Sequence, residues 1–138
     1  MQSNLYLLDT SVWLDVLPPR GGNTDLRVRV GALLTEDRVA TTGMVRLELL
    51  GGARTEQEWD QLRDYLSALH QLAVDEETWQ EAAQMGFQLR RQGVTVPFTD
   101  LIIGAVAMRS GIVLLHRDRH FDLMAQHLPL QVDSYLTS

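Results

Sequence analysis

The chain has 138 residues and no cysteine, which excludes a disulfide framework and a thiolate metal site. It has no lysine either: its twelve Lys-or-Arg positions are all arginine. P-loop phosphate binding requires its lysine, and so do Schiff-base and lysine general-base catalysis. Those classes fall away. No apolar run approaches the roughly 18 residues of a membrane span, so no membrane association is expected. The first residues lack a basic segment leading into a long apolar stretch, so no signal peptide is expected. With no cysteine to oxidise, a cytoplasmic location follows as the expectation.

An excess of positive charge is also missing. The net charge is −6 and the pI is near 5.1, whereas a general nucleic-acid binder usually carries a basic stripe. Four carboxylates gathered at one metal site would account for four of those six charges, so a nucleic-acid substrate stays open. Internal repeats, low-complexity tracts and linkers are absent as well. The length suits one domain, taken as residues 1–138, with a sizeable core.

What is present is a set of four acids, each beside an apolar segment. Asp9 ends the run at 5–8, Glu48 lies inside 44–50, Asp100 opens 101–107, and Asp118 follows 112–115. A carboxylate at the edge of a core is costly unless something positive pairs with it. The arginines are few and scattered, so a divalent cation is the natural partner for four converging acids. Mg²⁺ is a hard ion that takes oxygen ligands.

Periodicity places these acids. Short apolar runs predict strands at 4–8, 38–41, 72–74, 112–115 and, at an edge, 131–133. Thr10 or Ser11 is the expected cap of a helix at 12–17, stopped by Pro18-Pro19 and followed by a loop at 20–23. Thr24 caps a helix carrying Leu26, Val30, Leu33 and Leu34 on one face. Further helices are expected around Glu48, at 55–69 with a stripe of Trp59, Leu62, Leu66 and Leu69, at 76–91, from Pro97 to Ser110, and at 121–127. The segment 101–108 is apolar nearly all round and should be central.

Alternating strands and helices indicate an α/β fold with a mainly parallel sheet, whose sites form beyond the carboxyl ends of the strands. Asp9 and Asp118 lie just past strand ends. Asp100 lies in the first turn of a helix starting at the same rim, and Glu48 one to two turns into a helix leaving the second strand.

Four motifs now carry a resemblance. Leu8-Asp9-Thr10-Ser11-Val12-Trp13-Leu14-Asp15 resembles the opening motif of PIN-domain nucleases, and Val45-Arg46-Leu47-Glu48-Leu49-Leu50-Gly51 their second. Pro97-Phe98-Thr99-Asp100-Leu101-Ile102-Ile103-Gly104-Ala105 resembles the third, and Arg117-Asp118-Arg119-His120-Phe121 the fourth. They come in the family's order and span residues 5–121. The short chain resembles the VapC toxins of bacterial toxin–antitoxin pairs. The resemblance implies a three-layer α/β/α fold and an endoribonuclease acting on RNA. It implies Asp9, Glu48, Asp100 and Asp118 as the acids of a Mg²⁺ site, with Mn²⁺ as a substitute. It also implies a small VapB-like antitoxin partner and a homodimer. Thr10 or Ser11 matches the family's hydroxyl beside the first aspartate. Arg117 or Arg119, and more weakly Arg46, are the phosphate-contact expectations.

One departure stands out: the fourth motif usually offers Thr or Ser two residues before its aspartate, and this chain has His116. Loss of a ligand-orienting hydroxyl would weaken or retune the site. His116, His120 and His127 otherwise read as polar edge residues, because their spacing does not repeat His-Glu-x-x-His. Asp15 and Asp122 read as surface acids, and Trp13, Trp59 and Trp79 as core or subunit-contact residues. A response-regulator receiver or haloacid-dehalogenase-like phosphatase is the rival enzyme class, but both normally use a basic residue, generally lysine, near the aspartyl phosphate. The Asp-x-Asp of the latter is missing at Asp9-Thr10-Ser11. A PIN-like module that binds RNA or protein without cutting is the other alternative; His116 favours it and the four acids oppose it.

Overall fold

The computed structural model describes residues 4–18 and 23–136. The expected stop at Pro19 and the loop residues 20–22 lie outside them. Among the described residues twelve elements follow in order: β1 (Tyr6–Leu8), α1 (Thr10–Val16), α2 (Thr24–Thr35), β2 (Val39–Thr42), α3 (Gly43–Gly51), α4 (Glu56–Ser67), β3 (His70–Leu72), α5 (Glu76–Arg91), α6 (Phe98–Ser110), β4 (Val113–His116), α7 (Arg119–Ala125) and β5 (Val132–Ser134). The strands form one fully parallel sheet in the order β3-β2-β1-β4-β5.

Every residue of β2 is buried, as are most of β1 and β4. Strand side chains alternate between faces, so both faces of the sheet must be covered. The result is the three-layer α/β/α arrangement. The chain leaves β1 for β2 on one side and returns through α6 to β4 on the other. β1 and β4 therefore flank the point where the winding reverses, the place where open α/β sheets hold their ligands.

The central helix α6 is buried from Leu101 to Ala107 without a break, as its uniformly apolar composition predicts. Gly104 lets α7 approach closely: a Cβ there would sit 2.6 Å from Met124 Cε. Gly111 ends α6 at φ +67°, a left-handed conformation that glycine adopts without strain.

Three differences from the sequence reading have local causes. Helix α1 begins earlier than expected, because Asp9 rather than Thr10 or Ser11 supplies the cap. Helix α2 is likewise capped by Asn23, one residue before Thr24. Strand β3 is His70–Leu72, pairing with Ala40–Thr42; Ala73 and Val74 form no ladder, and the chain then turns at Asp75 to cap α5. Of the tryptophans, Trp13 is fully buried, while Trp59 and Trp79 are exposed.

Candidate active site

Asp9 closes β1, and its amide donates to the Leu115 carbonyl of β4 at 3.0 Å. Its carboxylate, 3% exposed, accepts hydrogen bonds from the Ser11 amide at 3.0 Å and the Ser11 hydroxyl at 2.6 Å. That hydroxyl in turn accepts from the Arg117 amide at 3.0 Å, so one serine links the ends of β1 and β4. Burial raises the Asp9 pKa above its ordinary value, while the hydrogen bonds at Ser11 and Thr10 pull against it. Glu48 is exposed on α3, where its Oε1 accepts from the Thr10 hydroxyl at 2.6 Å. Thr10 and Ser11 thus each orient one of the four acids.

Asp100 sits in the first turn of α6 and is 7% exposed. Its Oδ2 is buried with no hydrogen-bond partner. Removal from water is the main cause that pushes its pKa up to about 8, followed by the charges of Asp118, Asp9 and Glu48. Asp118 caps α7, accepting from the His120 amide at 2.9 Å. The ring of His120 then folds over the acids, with Nδ1 2.9 Å from Asp118 Oδ1 and 3.3 Å from Asp100 Oδ2. One ligand atom from each of Asp100, Asp118 and His120 lies within 4.8 Å of the others.

All four predicted acids therefore meet at one rim, but not equally. Asp100 and Asp118 form the tight pair. Asp9 and Glu48 flank it, near enough for their charges to raise the Asp100 pKa, without joining the compact set. A pair of carboxylates with an orphaned buried oxygen fits a divalent cation: oxygen ligands suit Mg²⁺ and Mn²⁺, and a cation would relieve the cost of burying them.

His116 is fully buried. The Asp118 amide donates to its Nδ1 at 3.0 Å, so the ring proton belongs on Nε2, which lies 3.0 Å from Asp122 Oδ1. Asp122 also accepts from the Ser134 hydroxyl at 2.8 Å. Burial lowers the His116 pKa against the pull of Asp122, which favours the neutral ring. The imidazole thus gives the Asp118 amide an acceptor, a role a hydroxyl can also play. Arg117 pairs with Asp15 and donates from Nε to the Tyr135 carbonyl at 3.2 Å. Arg46 donates to Gln71 at 2.5 Å. Arg119 is exposed in the first turn of α7, with no ion-pair partner among the described residues.

Sequence reasoning gives His120 only as a polar edge residue, and Asp15 and Asp122 as surface acids. Asp15 holds Arg117 and Asp122 holds His116. The available signal for His120 was its place two residues after Asp118 at the start of a helix. Its approach to Asp100 comes from the docking of α7 against α6, which no local pattern shows. A groove of about 530 Å³ between α5 and the start of α6 is lined by Trp79, Phe87 and Phe98 among others and holds none of the four acids.

The family model described as PIN domain matches residues 6–126. The chain belongs to the PIN domain family. Ribonuclease VapC11 of Mycobacterium tuberculosis is 33% identical over 135 residues, covering 95% of this chain and 99% of that protein. Among solved structures, VapBC2 from Rickettsia felis, bound to a DNA fragment from its promoter, superposes with a TM-score of 0.78 at 17% identity, covering 95% of this chain and 98% of that one. VapBC-5 from Mycobacterium tuberculosis, of the VapBC family of toxin–antitoxin systems, gives 0.63 at 26% identity, over 97% and 99%. The PIN match covers β1 through α7, and so all four acids.

Proposed function

We propose that this PIN domain is a divalent-cation-dependent endoribonuclease and the toxin of a VapB–VapC-type pair, with the whole chain acting as one domain. The observation that carries the reading is the buried Asp100 carboxylate, its Oδ2 orphaned beside Asp118 at the β1–β4 rim. The name of the 33% identical ribonuclease supports the reaction class. VapBC complexes among the structural neighbours support a small antitoxin partner.

In this reading Asp100 and Asp118 hold Mg²⁺, or Mn²⁺ in its place, and Asp9 and Glu48 complete the site directly or through water. When bound, such an ion makes water more acidic and neutralises charge on phosphate oxygens. The remaining work falls to the side chains. Ser11 fixes the rotamer of Asp9. Thr10 holds Glu48, whose exposed carboxylate is placed to orient the attacking water and accept its proton. Arg119 opposes the dipole of its own helix, an unfavourable position that a bound phosphate would offset. Arg117, committed to Asp15 and Tyr135, positions the loop instead.

No helix among the described residues is long and apolar enough to cross a membrane, and we place the toxin in the cytoplasm. It acts there as a homodimer; exposed Trp79, Phe87 and Phe98 supply apolar surface of the kind protein contacts use. A module that binds without cutting would have rested on His116, and the acceptor this ring gives the Asp118 amide removes that ground.

Expression in a bacterial host is the test. Growth should stop with the natural chain, continue with Asp118→Asn, and recover on co-expression of the small open reading frame beside it. Unimpaired growth with the natural chain, or arrest persisting in Asp118→Asn, would contradict the proposal.

A further inference from the structure

We infer that His120 is a nitrogen ligand of the cation site, so that the site takes one imidazole along with its carboxylates and prefers Mn²⁺ to Mg²⁺. The inference rests on the cation site proposed above and adds to it a ligand and a metal preference.

Three observations carry it. First, two buried atoms face each other without a hydrogen-bond partner: Asp100 Oδ2 and His120 Nδ1. Asp100 is 93% removed from solvent by its 7% exposure, so its orphaned oxygen is a desolvated group directed into the cluster. Second, His120 Nδ1 is close to both acids yet aligned with neither. An imidazolium serving only as an ion-pair partner would aim its N–H along one carboxylate oxygen, since the bond weakens steeply off axis. Here Nδ1 lies 2.9 Å from Asp118 Oδ1 and 3.3 Å from Asp100 Oδ2, with no aligned bond to either. Third, those spacings are those of adjacent ligands. An octahedron with bonds of about 2.1 Å has neighbouring ligand atoms about 3.0 Å apart. Asp118 Oδ1, Asp100 Oδ2 and His120 Nδ1 match the edges that meet at one such ligand.

Local structure holds the ring in place. The His120 amide donates to Asp118 Oδ1 at 2.9 Å, so ligand and neighbour share the first turn of α7. The Asp118 amide is anchored in turn by His116. The chemical consequence follows from ligand type. Mg²⁺ favours oxygen and dehydrates reluctantly. Imidazole suits zinc, copper, iron and nickel best, and Mn²⁺, the first ion of that series, takes carboxylate and water as Mg²⁺ does while accepting a nitrogen ligand more readily. A mixed nitrogen–oxygen set therefore shifts preference toward Mn²⁺.

Pulsed electron paramagnetic resonance of Mn²⁺ bound to the full chain reads the ligand directly. The natural protein should show a directly coordinated ¹⁴N, changing to the ¹⁵N pattern when histidine is ¹⁵N-labelled. The signal should vanish in His120→Asn and in His120→Gln, either of which suffices if the other folds poorly. By titration calorimetry, Mn²⁺ affinity should fall about tenfold in these variants, with Mg²⁺ affinity changed less, as for loss of a ligand-supporting group. Mn²⁺ bound without nitrogen coupling would overturn the inference about His120 and leave the nuclease reading standing. A nitrogen signal that survives both substitutions would overturn it in the same way. No Mn²⁺ binding by the natural protein would overturn the inference and the cation site together.

Discussion

Asp100 is a carboxylate buried beside other acids, and its behaviour without metal is a direct consequence. Its folded pKa, about 8, stands above the ordinary carboxylate value of 3.8, so the folded protein holds a proton that the unfolded chain releases. The stabilisation from that proton is full below about pH 4 and is lost as pH rises through about 8. Metal-free protein should therefore melt at lower temperature at pH 9 than at pH 6, and Asp100→Asn should flatten this slope while abolishing cleavage. Calorimetric scans at several pH values in EDTA read both; marked destabilisation of Asp100→Asn near pH 8 would contradict a repulsive cluster. His116 makes the opposite case, a buried polar ring with both nitrogens engaged. His116→Ala should cost about 3 kcal/mol in urea unfolding, through a cavity and two lost hydrogen bonds. The acids were legible as residues because each lies beside or within an apolar run. His120 was not, because nothing within its own segment distinguishes a ring turned toward Asp100 from one turned to solvent.

At the scale of elements, the site depends on how α6 and α7 meet. Asp100 opens one helix and Asp118 caps the other, and Gly104 sets their separation. In Gly104→Ala the new methyl would press on Met124 Cε, the mobile end of a flexible side chain, so the cost should be about 1–2 kcal/mol. Gly104→Val should cost more and displace the start of α7. Thermal melts with parallel Mn²⁺ titrations would register both effects; unchanged stability in Gly104→Val would contradict the tight packing. Helix α5 was readable to both ends, with acids in its first turn and arginines in its last. Strand β3 was displaced in the reading because Leu72-Ala73-Val74 is the more apolar triplet. The pairing of His70–Leu72 with β2 is a long-range fact. Asp9 is itself a cap candidate in the sequence, ranked below the hydroxyls of Thr10 and Ser11, either of which is an ordinary cap; in the folded chain Asp9 is the cap and the hydroxyls serve Glu48 and Asp9.

The whole molecule is organised to bring four distant acids to the rim where the winding of a parallel sheet reverses. The alternation of strands and helices already indicated that rim, whereas the strand order β3-β2-β1-β4-β5 required the structure. A cation bound only by the folded state stabilises it by mass action, about 2.7 kcal/mol at one hundred times the dissociation constant. Saturating Mn²⁺ should thus raise the melting temperature of the natural protein and leave Asp100→Asn nearly unmoved; an equal rise in both would place the ion elsewhere. The most direct measurement of the central claim is cleavage of a mixed RNA pool by the purified protein with Mg²⁺ or Mn²⁺, against EDTA and against Asp9→Asn. Discrete products that require both the metal and Asp9 are the predicted result. Cleavage that persists in EDTA or in Asp9→Asn, or an intact pool despite bound metal, would contradict it.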